Sequence, residues 1–517
     1  MALNINTNIG ALGAAAAASS VNKSMETSME RLSTGQRINT AADDAAGMAI
    51  SSRMDAQIRG LNQAIRNAAD GQSLIDTTEG AHNEVTNILQ RMRELAVQSA
   101  NDTNVSGDRT NLQAEITQLI AEVDRIANQS TWNGVKILDG TFSAKQLQIG
   151  ADEGQIVTFG VDSVASSAIG SHQLDGWAQI STTSGGGILS DVYTVTGIDG
   201  STTVTSAAGD SAKEFAARIN NVSSTTGVSA TAVTKLKLSA LTAADTVTLT
   251  INGTSMGAVA VTDTSDLRGL RDAINSYSGT TGVTAAISGS NAALELTDID
   301  GDDIRLDFET ALNSTEMTLA VLDKNSTAAT THDGSTALSI TLIDSGGTAA
   351  AGDANEVWVT GQVTFESRAS FNIGVTNDAL DFDTSTAGTI VADGEFVGNA
   401  DGDAASTNSS SLSAVSAINI GTVSGSKSAI SVIDGAIEKI NAARADLGAI
   451  SNRLDNTISN LTNISTNVES SRGRIQDADF AAESTSLAKA QILQQASMAM
   501  LAQANASKQG VLQLLQG

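Results

Sequence analysis

Near the C-terminal end of the chain, Ile433, Ile440, Leu447, Leu454, Leu461, Val468 and Ile475 follow one another at intervals of seven without exception. A strict seven-residue apolar repeat puts every member on one stripe of an α-helix and winds that stripe around a partner. Ile437 and Ile458 add to the second seam position. A helix of about 45 residues spans about 65 Å, far more than a globular core requires. Its partners must therefore be long helices too, and the rest of the chain has to supply them.

The N-terminal part does so. Val21, Met25, Met29 and Leu32 recur every three or four positions up to Gly35, a natural helix end. After a loop around Gly35 to Asn39, a longer seam runs through Met54, Ile58, Leu61, Ile65 and Ala68. It continues as Ile75, Thr78, His82, Val85, Leu89, Met92, Ala96 and Ser99, and the irregularity near Gly71 reads as a stutter. Asn101 to Gly107 is a turn, and Leu112, Ile116, Leu119, Val123 and Ile126 give an antiparallel companion with the same spacing. Past Trp132 the period becomes two. Val135, Ile137, an Asp139-Gly140 turn, Leu147 and Ile149 predict a hairpin laid against the helices.

Between the helical ends, roughly 170–410 consists of short Val/Thr/Ile runs broken by Gly, Asn, Asp and Ser. It contains a repeat: Phe215 to Asn220 followed by Thr226-Gly227-Val228 returns as Leu270 to Asn275 followed by Thr281-Gly282-Val283. Each copy reads as strand-strand-helix-strand, over about 193–238 and 247–298. The expected fold class is α+β multidomain, a long coiled-coil bundle formed by both chain ends with inserted β-rich outer domains. The changes of pattern fall at 1–40, 41–175, 176–410, 411–470 and 471–517.

Charge and chemistry narrow the function. Residues 171–410 carry 30 acids against 9 bases, which accounts for most of the net charge of −28. Nucleic acid is excluded as a partner, because a phosphate backbone is gripped by clustered Lys and Arg. No apolar run is long enough to span a membrane. The Ala-rich stretch Gly10 to Ser20 lacks the charged start of a signal peptide, since the first charged side chain is Lys23. Cysteine and proline are both absent, so neither disulfides nor slow prolyl isomerisation enters folding. The three histidines, His82, His172 and His332, show no metal spacing, and His82 sits on a helical seam as a packing residue. No nucleophile elbow, P-loop or dinucleotide fingerprint occurs, so no enzyme activity and no cofactor are expected. Asp298, Asp300, Asp302 and Asp303 around Gly301 suggest calcium, but the glycine is misplaced for an EF-type loop and a solvated acidic turn is the better reading.

Several stretches together resemble bacterial flagellin: the start Met-Ala-Leu-Asn-Ile-Asn-Thr-Asn, Arg31 to Asn39, Ala41 to Gly47, Leu89 to Asn101, Trp132 to Leu138 and Ser471 to Phe480. The resemblance covers about 1–150 and 425–517, and the central repeat resembles the one in flagellin and hook-associated central regions. It implies a subunit of the extracellular flagellar filament, self-assembling as a helical homopolymer for swimming. It further implies export through the flagellar type III apparatus without a cleaved signal peptide, and contact with an export chaperone, the filament cap and hook-filament junction proteins. The segments 1–40 and 471–517 would form an inner core helical domain, 41–175 and 411–470 an outer core domain, and 176–410 the outer domains.

Residues 1–22 carry no charged side chain and 490–517 only Lys508, so these ends can be buried between subunits without stranding a charge. Their apolar residues, Leu3, Ile5, Ile9, Leu12, Val21, Met25, Leu493, Met498, Leu501, Val511, Leu512, Leu514 and Leu515, are the expected inter-subunit contacts, without a partner for that face in an isolated chain. The family's Toll-like receptor residues fall by resemblance on Arg91, Leu95 and Glu115, flanked by Gln90 and Arg93. The other readings are a hook-filament junction protein and a coiled-coil surface adhesin.

Overall fold

The computed structural model describes residues 7–181, 190–289, 291–311, 315–329, 338–344, 353–375 and 407–516. It divides into two compact units, one built from 1–76, 144–160 and 447–517, the other from 77–143 and 161–446. The helices are α1 (Ile9–Thr34), α2 (Ala45–Ser99), α3 (Ser106–Gln129), α4 (Ala212–Asn221), α5 (Ser223–Thr226), α6 (Arg268–Ser276), α7 (Ser278–Thr281), α8 (Val423–Gln476) and α9 (Phe480–Gln516).

In the first unit, α1 begins where the Asn8 side chain accepts from Ala11 N at 3.1 Å and ends at Gly35, whose φ of 71° lets its N–H reach Arg31 O. The early part of α2 and the late part of α8 run antiparallel. Ser51 hydrogen-bonds Gln476 at 2.6 Å, Arg472 meets Asp55 at 2.8 Å, Ser465 meets Asn62 at 3.3 Å and Gln72 reaches Asp455, so each advance along α2 is matched by an equal retreat along α8. Leu61, Ala64 and Leu461 are buried together between them. The links between helices also pair: Arg37 N donates to Gln476 O and Ala478 N to Gly35 O, making a short bridge at Gln36 and Asp477.

α2 passes through Gly71 without a break, as a stutter allows, because a stutter shifts the apolar stripe and leaves the backbone helical. A Cβ on Gly71 would lie 2.5 Å from Leu147 Cδ1, and one on Gly60 would lie 3.1 Å from the Ala151 Cβ. These glycines open a track for the hairpin of Lys145–Gln148 and Ile156–Phe159. One expectation is corrected: Asp139-Gly140 is not a hairpin turn. The alternating stretch forms two separate hairpins, and Asp139 instead turns the chain locally by accepting from Thr141 N and Oγ1.

In the second unit, the α2 seam residues Thr78, His82, Val85, Leu89, Met92, Ala96 and Ser99 are all buried. So are Ile116 and Val123 of α3 and Ile433 and Ile440 of α8. Arg444 pairs with Glu79 at 2.6 Å and Arg93 with Asp434 at 2.6 Å, again an antiparallel order of α2 and α8. Ser99 Oγ donates to Ile420 O at 2.7 Å, fixing the chain just before α8.

Among the described residues the β region holds three main sheets. A five-stranded antiparallel sheet runs Thr254–Val261, Asp245–Ile251, Ile304–Thr310, Glu356–Thr360, Gln179–Ser181. A larger sheet is organised around the long strand Ser229–Ser239, which pairs with Ala293–Asp298, Glu316–Leu322 and Gln362–Ser367. A four-stranded sheet joins Ser201–Thr205, Val192–Thr196, Asn372–Val375 and Thr407–Ser409. Leu236, Leu249, Ile274, Leu296, Leu306, Phe308 and Val357 fill one core. Phe215 stands in a second, with ring centroids 4.7 Å from Tyr193 and 6.2 Å from Phe365. Residues 1–6, His332 and all of 376–406 lie outside the described residues.

The α+β organisation read from the sequence is the observed one: long helices from both chain ends and a β-rich middle. The first copy contains Val192–Thr196, Ser201–Thr205, α4, α5 and Ser229–Ser239, and the second Asp245–Ile251, Thr254–Val261, α6, α7, Val283–Ile287 and Ala293–Asp298.

Candidate functional site

Assembly surfaces come first, because the terminal helices carry the apolar residues singled out above. Within the first unit α1 and α9 run antiparallel: Asn8 Nδ2 donates to Ala504 O at 3.2 Å, Gln494 Nε2 to Asn22 Oδ1 at 2.8 Å, and Arg31 faces Glu483 at 3.8 Å. On α1 the shielded positions include Ala11, Ala14, Ala18, Val21, Met25, Ser28 and Leu32; on α9 they include Glu483, Leu487, Ala490, Gln494, Ser497, Leu501 and Ala504. Both sets step alternately by three and four, a coiled-coil seam made largely of small residues that allow close approach. The two ends pair with each other along this seam, a contact separate from the face expected to lack a partner in an isolated chain.

The bulky apolar residues face outward. Leu12 is 63% exposed, Ile492 66% and Met500 64%, and Ile9, Met29, Phe480, Leu493 and Met498 are exposed as well. A helix pair with alanine inside and large hydrophobics outside leaves an apolar surface that water does not favour, the mark of an interaction site. Of the residues expected to contact another subunit, Ile9, Leu12, Leu493 and Met498 lie on this outer face, while Val21, Met25 and Leu501 are half-buried in the seam. Leu3 and Ile5, and the side chains of Val511, Leu512, Leu514 and Leu515, lie outside the described residues. Sequence reasoning passed over Phe480, Ile492 and Met500. Counting alanine as a seam residue exposes the pattern, because the larger residues then fall on the opposite face.

A second cluster lies on α2 and α3 in the other unit. Arg91 donates to Glu115 Oε1 through Nε at 3.0 Å and Nη2 at 2.8 Å, and to Glu94 through Nη1 at 3.0 Å. The hydrogen bonds from Glu115 and then Glu94 hold the Arg91 guanidinium above its ordinary pKa. Arg93 is held above its own by the Asp434 carboxylate, which it grips at 2.6 and 3.2 Å. Gln90 is exposed beside them. Leu95 is only 1% exposed, among the buried residues of the helical core, so its side chain is not on the surface that the arginines share. Glu94 and Asp434 complete the cluster, and spacing alone announces only Glu94, three residues from Arg91.

The acidic turn around Gly301 is divided among protein partners. Lys213 Nζ lies 2.7 Å from Asp302 and 3.5 Å from Asp300, while Asp298 is buried and accepts from Asp300 N. Asp303 is pushed up to about 7 by burial, with Glu214 and Asp302 adding repulsion. Among the described residues no cluster of three metal-ligating side chains forms, and no helix is long and apolar enough to cross a membrane. His82 is fully buried, and burial lowers its pKa. Among the described residues neither ring nitrogen has a hydrogen-bond partner.

Comparison with known proteins gives matches over both helical ends and the repeat. Residues 5–143 match the bacterial flagellin N-terminal helical region and 430–515 the bacterial flagellin C-terminal helical region. The flagellin hook IN motif matches twice, at 194–245 and 248–300. The B-type flagellin of Pseudomonas aeruginosa is 37% identical over 522 residues, and flagellin D of Vibrio cholerae 32% over 517, each alignment covering all of both chains. A solved structure of FliC from Burkholderia pseudomallei aligns over 74% of this chain and 99% of its own, at 18% identity and a TM-score of 0.28.

Proposed function

This chain belongs to the bacterial flagellin family and is a structural subunit of the flagellar filament, and from that premise we propose which of its residues build the polymer. The observation that carries the proposal is the outward apolar face of the α1/α9 pair. Ile9, Leu12, Phe480, Ile492, Leu493, Met498 and Met500 dock against neighbouring subunits, and the absence of charge over 1–22 lets that contact be dry. Leu3, Ile5, Val511, Leu512, Leu514 and Leu515 extend the same contact, while Val21, Met25 and Leu501 hold the pair closed. Head-to-tail contacts of this kind are heterologous and need not close on themselves, so one chain generates an open helical polymer. On this reading 1–40 and 471–517 form the inner core, 41–175 and 411–470 the outer core, and 176–410 the outer domains.

The test is growth on filament seeds. Leu493→Asp and Met500→Asp should abolish elongation while leaving the helical circular dichroism of the monomer unchanged. Elongation at the wild-type rate would sink the proposal.

The further partners follow from the family. The chain travels through the flagellar type III apparatus without a cleaved signal, escorted by an export chaperone, and meets junction proteins below and the cap above; it performs no catalysis. For a host Toll-like receptor, Arg91 and Glu115, flanked by Gln90 and Arg93, supply the exposed polar surface and Leu95 supports it from beneath. Arg91→Ala should then weaken receptor signalling by the monomer, and an unchanged dose response would remove the assignment.

A further inference from the structure

Two Asn-Gly pairs close tight turns in this protein, and they are held very differently. Asn133-Gly134 joins Thr131–Trp132 to Val135–Lys136, and Asn252-Gly253 joins Asp245–Ile251 to Thr254–Val261. In the first turn φ is 49° and 79°, in the second 52° and 76°. Both therefore have two successive positive φ values, the type I′ hairpin geometry in which Asn followed by Gly is favoured.

The surroundings diverge from there. Asn252 is clamped at both ends of its amide: Nδ2 donates to Thr281 O at 3.0 Å and Oδ1 accepts from Arg305 N at 2.8 Å. Its turn also belongs to a five-stranded sheet. Asn133 is exposed, and among the described residues its side chain has no hydrogen bond. Its turn closes an isolated sheet of two strands with two residues each, a hairpin too small to be stable by itself. Local opening at Asn133 is correspondingly cheap.

We propose that Asn133 is a site of spontaneous deamidation, a chemical modification that the other Asn-Gly turn resists. The backbone nitrogen of Gly134, unobstructed by any side chain, attacks Asn133 Cγ. A Cγ–N bond forms, the bond from Cγ to Nδ2 breaks, and the side-chain nitrogen leaves as ammonia. The five-membered succinimide then takes up one water. Opening at Cγ leaves aspartate, and opening at the α-carbonyl leaves isoaspartate with the main chain rerouted through the side chain. Water is consumed and ammonia released, with no oxidant or reductant. The attack needs the amide to swing over its own backbone, which two hydrogen bonds prevent in Asn252 and nothing restrains in Asn133. Either product adds a negative charge near Lys136, whose ammonium lies 3.8 Å from Asp139. Isoaspartate also adds a methylene to the turn and breaks the Thr131↔Lys136 register.

The experiment incubates the folded full-length chain in mildly alkaline buffer and follows the peptides containing Asn133 and Asn252 by mass, with isoaspartyl methyltransferase labelling of the rerouted product. Asn133 should convert about tenfold or more faster than Asn252 in the folded chain. In the urea-unfolded chain the two should convert at comparable rates. Equal rates in the folded chain, or an Asn133 that stays intact while the unfolded chain reacts, would overturn the proposal.

Discussion

Asn220 holds the main chain of Ala230 with both ends of its amide: Nδ2 donates to Ala230 O and Oδ1 accepts from Ala230 N, each at 2.8 Å. Asn275 does the same to Ala285, also at 2.8 Å in both directions. Each clasp ties the end of a repeat helix to the strand that follows its αL glycine, Gly227 in one copy and Gly282 in the other. The shared sequence of the two copies thus encodes a shared local geometry.

Replacing either asparagine by alanine leaves one backbone N–H and one C=O half-buried without their partners. Asn220→Ala and Asn275→Ala should each cost about 1–3 kcal/mol, read as a lower denaturant midpoint with the slope unchanged. A loss below a few tenths would show that water replaces the clasp.

Gly71 and Gly80 lie on the same helix and predict opposite outcomes. Gly71→Val would drive its side chain into Leu147, with Leu454 3.4 Å from the new Cβ, and should cost about 1–3 kcal/mol. A Cβ at Gly80 meets nothing within 4 Å, so Gly80→Ala should stabilise by about 0.5–1 kcal/mol. Thermal melts of the two variants give the comparison, and a destabilised Gly80→Ala would refute the reasoning for both.

The helical seams were legible in the sequence because period alone fixes them: His82, Leu89 and Ile433 were placed on their stripe by spacing and are buried there. The role of Gly71 was not, since a glycine at an irregularity in the seam looks alike whether or not a hairpin seats on it. The turn at Asn133 was missed for a related reason, as Asp139-Gly140 carries a similar turn signature and only strand pairing separates them. The outward face of α1 and α9 was half legible. Absence of charge could be counted, but which apolar residues point out depends on alanine filling the seam.

His82 gives the helical part of the second unit a dependence on pH. Its folded pKa lies below the ordinary 6.5, burial being the main cause, opposed by Glu79 and reinforced by Arg444. The unfolded chain therefore binds the proton more readily, so stability is lost as pH falls through about 6.5 towards the folded pKa. His82→Leu should flatten that part of the stability profile. An unchanged acid limb in the variant, measured by urea unfolding across the range, would rule His82 out as its source.

Asp303 acts with the opposite sign. Burial, the carboxylates of Glu214 and Asp302, and an opposing hydrogen bond from Thr360 leave it at about 7, against an ordinary 3.8. Among the described residues its Oδ1 has no partner. The folded state keeps a proton that the unfolded chain has already released, so this group's contribution to stability falls as pH rises from about 3.8 to about 7. Asp303→Asn keeps an acceptor for Thr360 and removes the charge. It should raise stability by about 1–3 kcal/mol above neutral pH, allowing for its partial exposure, and change little under acid conditions where the carboxyl is already protonated. A variant no more stable than the parent at alkaline pH would mean that the carboxylate is solvated there.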